Sequence, residues 1–351
     1  MKTSINILLV FLFAACTSVP DERMTPYVDF PETRELTART LSLDSALFRY
    51  PYRVRVQDDK AVVLDLHGTE YFFHAFHYPG FHYLSSFGKR GDAPEEMLSA
   101  ENLRWNGNFL WTLDSNKSEL TRLGFASSGD SLLRLEAVSL DEELLRALDF
   151  VQYDDSTFII PDYSGDSRFC LVSRQGKLLH KIGTIPTTDE DALKNAHPAL
   201  AQAWRSFIDY NPRNGVLAAV TQLGEVLEIY NLKDSTHIVR IGPNGEPEFQ
   251  ISQGYGIPTG IMGFSDIQVT DSAIYVVFQG RAFKDIMQKA QQGINLPDGG
   301  QNIYVFSLEG KPLRKYVLDH YIHGISVDEQ KGIIIATDVN KDEPIIEYKL
   351  L

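Results

Sequence analysis

The sequence predicts an all-β chain closed into a ring, and three observations carry that prediction. Short apolar runs rich in Val, Ile, Tyr and Phe fill most of the 351 residues, bounded by Gly, Asn, Asp and Ser turns, which is the pattern of strands. One unit, an apolar strand flanked by tight polar turns and usually closed by aspartate, recurs six times. The sixth copy ends with the chain one strand short, while an unclaimed strand, LTARTLSL (36–43), precedes the first copy. Pairing that strand with 345–350 removes the bare sheet edge that an open ring would leave. The expected architecture is a six-bladed β-propeller whose N-terminal strand closes the last blade, with short helical insertions on one rim.

The chain opens on a secretion leader. Lys2 supplies a positive charge, and residues 5–13 form an apolar run broken only by Asn6, too short to span a bilayer. FAACTS (13–18) follows, and its Phe13-Ala14-Ala15-Cys16 resembles the lipobox of bacterial lipoproteins, with Phe13 where Leu is usual. The resemblance implies cleavage ahead of Cys16 and a thiol that carries diacylglycerol. It divides the chain into a signal peptide at 1–15, a lipidated tether at 16–33 and the propeller at 34–351. The tether holds three prolines and no apolar periodicity, and reads as extended. Thr17 after the cysteine argues for outer-membrane sorting.

Cys170, in the apolar stretch RFCLVS, reads as a small buried hydrophobe and has no disulfide partner once Cys16 is acylated. The net charge is −14, and loss of Lys2 with the leader makes the mature chain more acidic still, which excludes nucleic acid as a partner class. A hydrophobic content of 43%, with 11% aromatics, suffices for a large packed core.

The repeat is read in AVVLD (61–65), FLWTLD (109–114), TFIIPD (157–162), VLAAVT (216–221), AIYVVF (273–278) and IIIATD (333–338). Their ends lie 49, 48, 59, 57 and 60 residues apart, room for one four-stranded blade with insertions. Aspartate closes four copies, at Asp65, Asp114, Asp162 and Asp338, where a side chain bonded to turn backbone accounts for it. Third and fourth strands, such as VLEIYNL with THIVRIG, meet at tight turns like LKDS.

This unit, clearest in PDYSGDSRFCLVS, looks like the blade of NHL-type propellers. With the lipobox, six such blades resemble the bacterial TolB-like six-bladed β-propeller lipoproteins. In that family a Gly-rich G-x-G-P-G-E stretch commonly follows the first blade. FGKRGDAPEEM (87–97) stands in that place here, with an echo in IGPNGEPEF (241–249), and it lacks the second and third glycines. The resemblance implies fold and anchoring rather than an activity.

Alternation of strand direction puts the short first-to-second and third-to-fourth turns on one rim. The other rim carries the connections 88–99, 139–148, 184–205 and 243–264 and the insertion 280–301. Long loops without strands of their own tend to carry function. Three are expected to be helical. Ser139 with Glu142 makes a capping box ahead of LLRAL, DEDALKNAHPALAQAWRS (189–206) gives one or two helices broken at Pro198, and FKDIMQKAQQ (283–292) gives another. First strands line the channel and begin on this rim near Tyr52, Asn102, Asp149, Ser206, Asp266 and His323. The candidate ligand site is the mouth ringed by Asn102, Asp149, Asp266 and His323, with Arg90 and Arg281 nearby.

No G-x-S-x-G, P-loop, dinucleotide fingerprint or paired-cysteine motif occurs. His67, His74, His77 and His82 crowd one segment, but His74 and His77 sit an odd distance apart on a strand and face opposite ways, which argues against zinc. The expected function is a lipid-anchored, cell-envelope binding or scaffold module for an envelope protein, glycan or other ligand, rather than an enzyme. The alternative is a calcium-dependent hydrolase or lactonase at the channel mouth. Asn and Asp suit a hard cation, and six-bladed lactonases hold Ca2+ with acidic and amide residues at such positions.

Overall fold

The computed structural model describes residues 24–44 and 48–350; Cys16 and the leader lie outside the described residues. Blades 1 to 5 are each four consecutive antiparallel strands, at 51–89, 103–139, 151–182, 206–241 and 264–322. Blade 6 takes three strands, Ile325–Asp328, Ile333–Thr337 and Ile345–Lys349, and a fourth, Arg39–Thr40, from the start of the chain. Second strands such as Val216–Thr221 are buried along their whole length because neighbouring blades cover both faces, which is why they read as unbroken apolar runs. The outer strand Leu132–Ser139 alternates instead. Each seam between successive blades holds its own buried apolar cluster.

Closure is antiparallel, with Thr40 opposite Ile346 and Arg39 opposite Glu347, and Leu41 N–H donating to the Ile345 carbonyl at 2.9 Å. The closing strand is shorter than the 36–43 read from the sequence, because the residues ahead of it serve elsewhere. Thr33–Leu36 adds a parallel fifth strand to blade 5, and Met24–Pro26 adds one to blade 4. From residue 24 onward the segment expected as tether is therefore part of the domain. Tyr27 and Phe30 explain the difference: both are buried in the seam between blades 4 and 5. Phe30 packs against Tyr304 and Phe306, with ring centroids 4.6 and 5.2 Å away, and the Tyr27 hydroxyl donates to Glu225 at 2.7 Å. Pro26 sits on an outermost strand, where a missing N–H costs no ladder bond.

The long-loop rim carries helices at Glu190–Asn195, His197–Ala203 and Phe283–Gln291, the first two separated just ahead of Pro198. Leu200 and Trp204 fix the second helix against Val226 and Val239 of blade 4. No helix follows Ser139. That serine ends a strand opposite Glu119, and Leu140, Leu144 and Ala147 are drawn into the seam between blades 2 and 3. The capping-box pattern is overridden by burial of those apolar side chains. An additional hairpin, Phe249–Ser252 with Tyr255–Pro258, stands on the connection between blades 4 and 5.

At the axis the first strands are tied together by buried charge. Arg53 and Arg55 of blade 1 both bind Asp266 of blade 5, Arg55 with two bonds at 2.8 and 2.9 Å, and Arg55 also donates to the Ile325 carbonyl of blade 6 at 2.6 Å. Arg104 of blade 2 donates to Asp149 and to the Phe150 carbonyl at 2.7 Å, both at the start of blade 3, and to Asp209 of blade 4 at 2.6 Å. Each carboxylate also accepts a backbone N–H from the next blade: Asp149 from Ile208 at 2.9 Å, Asp209 from Val269 at 2.7 Å, and Asp266 from Ile325 at 2.9 Å. All six blades are thereby joined around the channel.

Removing residues 24–40 is expected to lower the melting temperature of the whole ring, and a truncated protein that melts with the parent contradicts this closure. Asp266→Asn leaves Arg53 and Arg55 without their buried counter-charge and is expected to cost about 3–5 kcal/mol in a denaturant titration; a loss below about 1 kcal/mol would show the pair to be dispensable. Burial alone would raise the Asp266 carboxyl, but Arg53 and then Arg55 outweigh it and hold it at about 2. An unfolded aspartate titrates near ~3.9, so the contribution of Asp266 to stability is complete above that value and lost as pH falls towards 2. An acid titration of stability should show this loss in the parent and not in Asp266→Asn.

Candidate functional site

The turn aspartates set the rim. Asp65 accepts from the backbone N–H groups of Arg49 and Tyr50 at 2.9 and 2.7 Å, and Asp114 accepts from Leu98 N–H at 2.7 Å. They clamp the incoming connection against the end of the second strand, and Asp65 thereby sets Tyr50 at the channel mouth.

The ring of polar residues expected at that mouth is only partly there. Asn102, Asp149 and Asp266 are buried, at 1, 1 and 0% exposure, and face partners rather than solvent. Asn102 donates to Asp149 at 2.6 Å, and the two aspartates belong to the axial network. Buried carboxylates find arginine, so these positions hold the ring together instead of presenting free ligands. Arg90 donates to the Gly68 carbonyl at 2.9 Å and lies 4.2 Å over the Phe72 ring, pinning its own loop. Arg281 donates to the Gly299 carbonyl, closing the base of the insertion in blade 5, and lies over Tyr321. Of the six, only His323 lines the cavity at the mouth.

That cavity, of about 360 Å3, draws its lining from blades 1, 4, 5 and 6. Tyr52, Phe207 and Phe264 come from first strands, Arg205 and Gln202 from the helical connection into blade 4, and Gln279, Phe283 and Asp298 from the insertion in blade 5. Its floor rests on the axial network, since the Arg53 guanidinium lies 4.9 Å from the Tyr52 ring and 4.4 Å from the Phe207 ring. At Gly324 the chain passes so close to blade 1 that an added Cβ would stand 2.7 Å from Arg53 Cα, which holds His323 against Tyr52.

One wall is a polar cluster of Tyr50, Asp298 and His323. The Tyr50 hydroxyl donates to Asp298, and His323 Nε2 lies 3.2 Å from the Asp298 carboxylate and 3.1 Å from the Tyr50 hydroxyl. Asp298 is itself held by Asn340, whose side-chain oxygen accepts its N–H and whose amide donates to its carbonyl, both at 2.8 Å. The His323 hydrogen bond holds the Asp298 carboxyl far below the usual carboxylate range in spite of its partial burial, with Tyr50 adding to the effect. Burial pushes the Tyr50 phenol well up, and Asp298 adds to that. Across the cavity, Arg205 has no side-chain hydrogen bond or ion pair among the described residues, and its Nε is buried. Gln279 Oε1 and His323 Nδ1 are likewise buried without a partner among the described residues.

Calcium does not fit this donor set. Asp149 and Asp266 are committed to arginines and backbone N–H groups, and Asp298 is the carboxylate at the cavity. Among the described residues no three His, Cys, Asp or Glu side chains are grouped to hold an ion. His74 donates to or accepts from Ser86 at 2.8 Å, while His77 lies beside Asp59 on the other face of the strand. Cys170 is buried as a free thiol, and burial pushes it up to about 12. The opposite mouth has a larger cavity, about 430 Å3, but Arg55, Arg104 and Asp209 there are already paired.

Sequence reading missed Tyr50, Arg205, Gln279 and Asp298. The visible signals were two tyrosines flanking a proline at 50–52 and an arginine just before a first strand. No local pattern brings the blade 5 insertion to them.

No curated protein matches the chain. Among solved structures, a Bacteroides fragilis NCTC 9343 protein described as exported superposes with a TM-score of 0.58 at 10% identity, over 93% of this chain and 98% of that one. An auxiliary nutrient binding protein from Bacteroides ovatus ATCC 8483 superposes with a TM-score of 0.55 at 9% identity, over 90% of this chain and 76% of that one. At such identities the likeness is one of fold. No helix among the described residues is long and apolar enough to cross a membrane. The profile of the TolB-like 6-blade propeller-like family matches residues 29–330, most of the chain, and the protein belongs to that family.

Proposed function

We propose that the protein is a lipid-anchored binding module of the cell envelope, which receives a protein or glycan ligand in the cavity of its long-loop rim. The observation that carries this reading is the set of buried polar atoms on Arg205, Gln279 and His323, unpartnered among the described residues, in residues lining one aromatic-walled cavity. A preformed cavity of this size with a few convergent polar groups is the usual form of a ligand site.

Anchoring at Cys16 agrees with the direction of the first strand. Met24–Pro26 runs parallel to Thr236–Ile241, from the tight-turn rim towards the long-loop rim. The described chain therefore begins on the tight-turn side. An acylated Cys16 would hold the tight-turn rim towards the bilayer and turn the cavity outwards.

Cys16→Ser is expected to move the protein from the membrane fraction to the soluble fraction, and undiminished membrane retention contradicts the anchor. Met262→Trp, which narrows the cavity from the blade 4 to blade 5 connection, should abolish the thermal shift that the parent shows with a binding saccharide or peptide, whereas Asp155→Ala on the tight-turn rim should preserve it. The opposite pattern places binding on the other face.

A further inference from the structure

The arginines around the channel differ in one respect. Arg104 and Arg168 are each paired with a buried carboxylate, and Arg53 and Arg55 share that of Asp266. Arg205 reaches the cavity with no such partner among the described residues. Burial lowers its pKa and Arg146 adds repulsion, which together outweigh the favourable fields of Tyr163 and Glu101. The carboxylate on the far wall, Asp298, is taken up by Tyr50 and His323. A half-buried guanidinium of this kind is completed by an anion from outside, and a carboxylate suits its planar donor fork.

The other unpartnered atoms narrow the ligand further. Gln279 Oε1 is an acceptor, and His323 Nδ1 is one in the neutral ring whose Nε2–H donates to Asp298, so hydrogen-bond donors on the ligand suit that side. Tyr52, Phe207, Phe264 and Phe283 ask for an apolar ring face. A single carboxylate, several hydroxyls and a flat C–H face occur together in a sugar acid. The chain's charge of −14 repels a densely anionic polymer at long range, which favours isolated carboxylates on an otherwise neutral saccharide.

We infer that the cavity binds a saccharide through one uronic-acid residue, with Arg205 receiving its carboxylate while Gln279 and His323 accept from its hydroxyls. This rests on the reading of the cavity as the ligand site and adds the ligand class.

The test is calorimetric titration with glucuronate and galacturonate, each compared with the neutral sugar of the same configuration, in the parent, in Arg205→Gln and in Met262→Trp. The parent should bind at least one of the acids roughly tenfold or more tightly than its neutral counterpart, the usual size of a hydrogen bond to a charged group. Arg205→Gln should erase that preference, and its melting temperature without ligand should equal or exceed that of the parent, because the Arg205 side chain makes no hydrogen bond or ion pair among the described residues. Equal affinity for acid and neutral sugar in the parent, binding of neither, or a marked fall in the melting temperature of Arg205→Gln overturns the inference. Acid binding that survives in Met262→Trp overturns the cavity as the site altogether, so the two failures are told apart.

Discussion

The ring depends on charge buried where its six blades meet. Arg53, Arg55 and Arg104 would be costly to desolvate alone, and so would Asp149, Asp209 and Asp266. Together they supply one another's counter-charges and bond the backbone groups around them, with Arg53 Nε left without a partner among the described residues. The bonds that matter most run from one blade to another: each carboxylate holds an N–H of the next first strand, and each arginine reaches a carbonyl or carboxylate of a different blade. Apolar seams supply most of the burial, but grease between twisted sheets tolerates sliding. The directional bonds fix the rotation of each blade about the axis.

The same network sets up the site. Arg53 lies between Tyr52 and Phe207, so the floor of the cavity is held by a group already locked in place by Asp266. Above that floor the loops of blades 4 and 5 bring in Arg205 and Gln279, which have buried polar atoms without a partner among the described residues. Arg53 and Arg205 differ in this: Arg53 is consumed in holding the blades, while the Arg205 guanidinium at the long-loop mouth has no ion pair among the described residues.

Much of the fold was legible in the sequence because it follows from local pattern. Second strands buried on both faces announce themselves as apolar runs, and the turn aspartates mark strand ends. The closing strand was inferable from a missing partner. Other features were not local. Tyr27 and Phe30 looked like coil among prolines, since their partners Tyr304 and Phe306 lie far along the chain. Ser139 and Glu142 formed a convincing capping box, yet burial of Leu140, Leu144 and Ala147 prevailed. Arg53 and Arg55, two residues apart, share one face of their strand, a signal the sequence reading does not use. Which acid they meet could not be read, because Arg53 and Asp266 are 213 residues apart. The aspartates of the first strands therefore read as free ligands in the sequence, whereas the ring itself uses them.

Native-state hydrogen exchange at the amides of Ile208, Val269 and Ile325 tests the central claim most directly, because Asp149, Asp209 and Asp266 hold these three N–H groups across blade boundaries. If the axial network unites the ring, they exchange only when the whole protein unfolds, with protection equal to the global stability measured in denaturant. Exchange through local opening, at protection far below that of the second-strand amides of Val62 and Val63, would contradict the account.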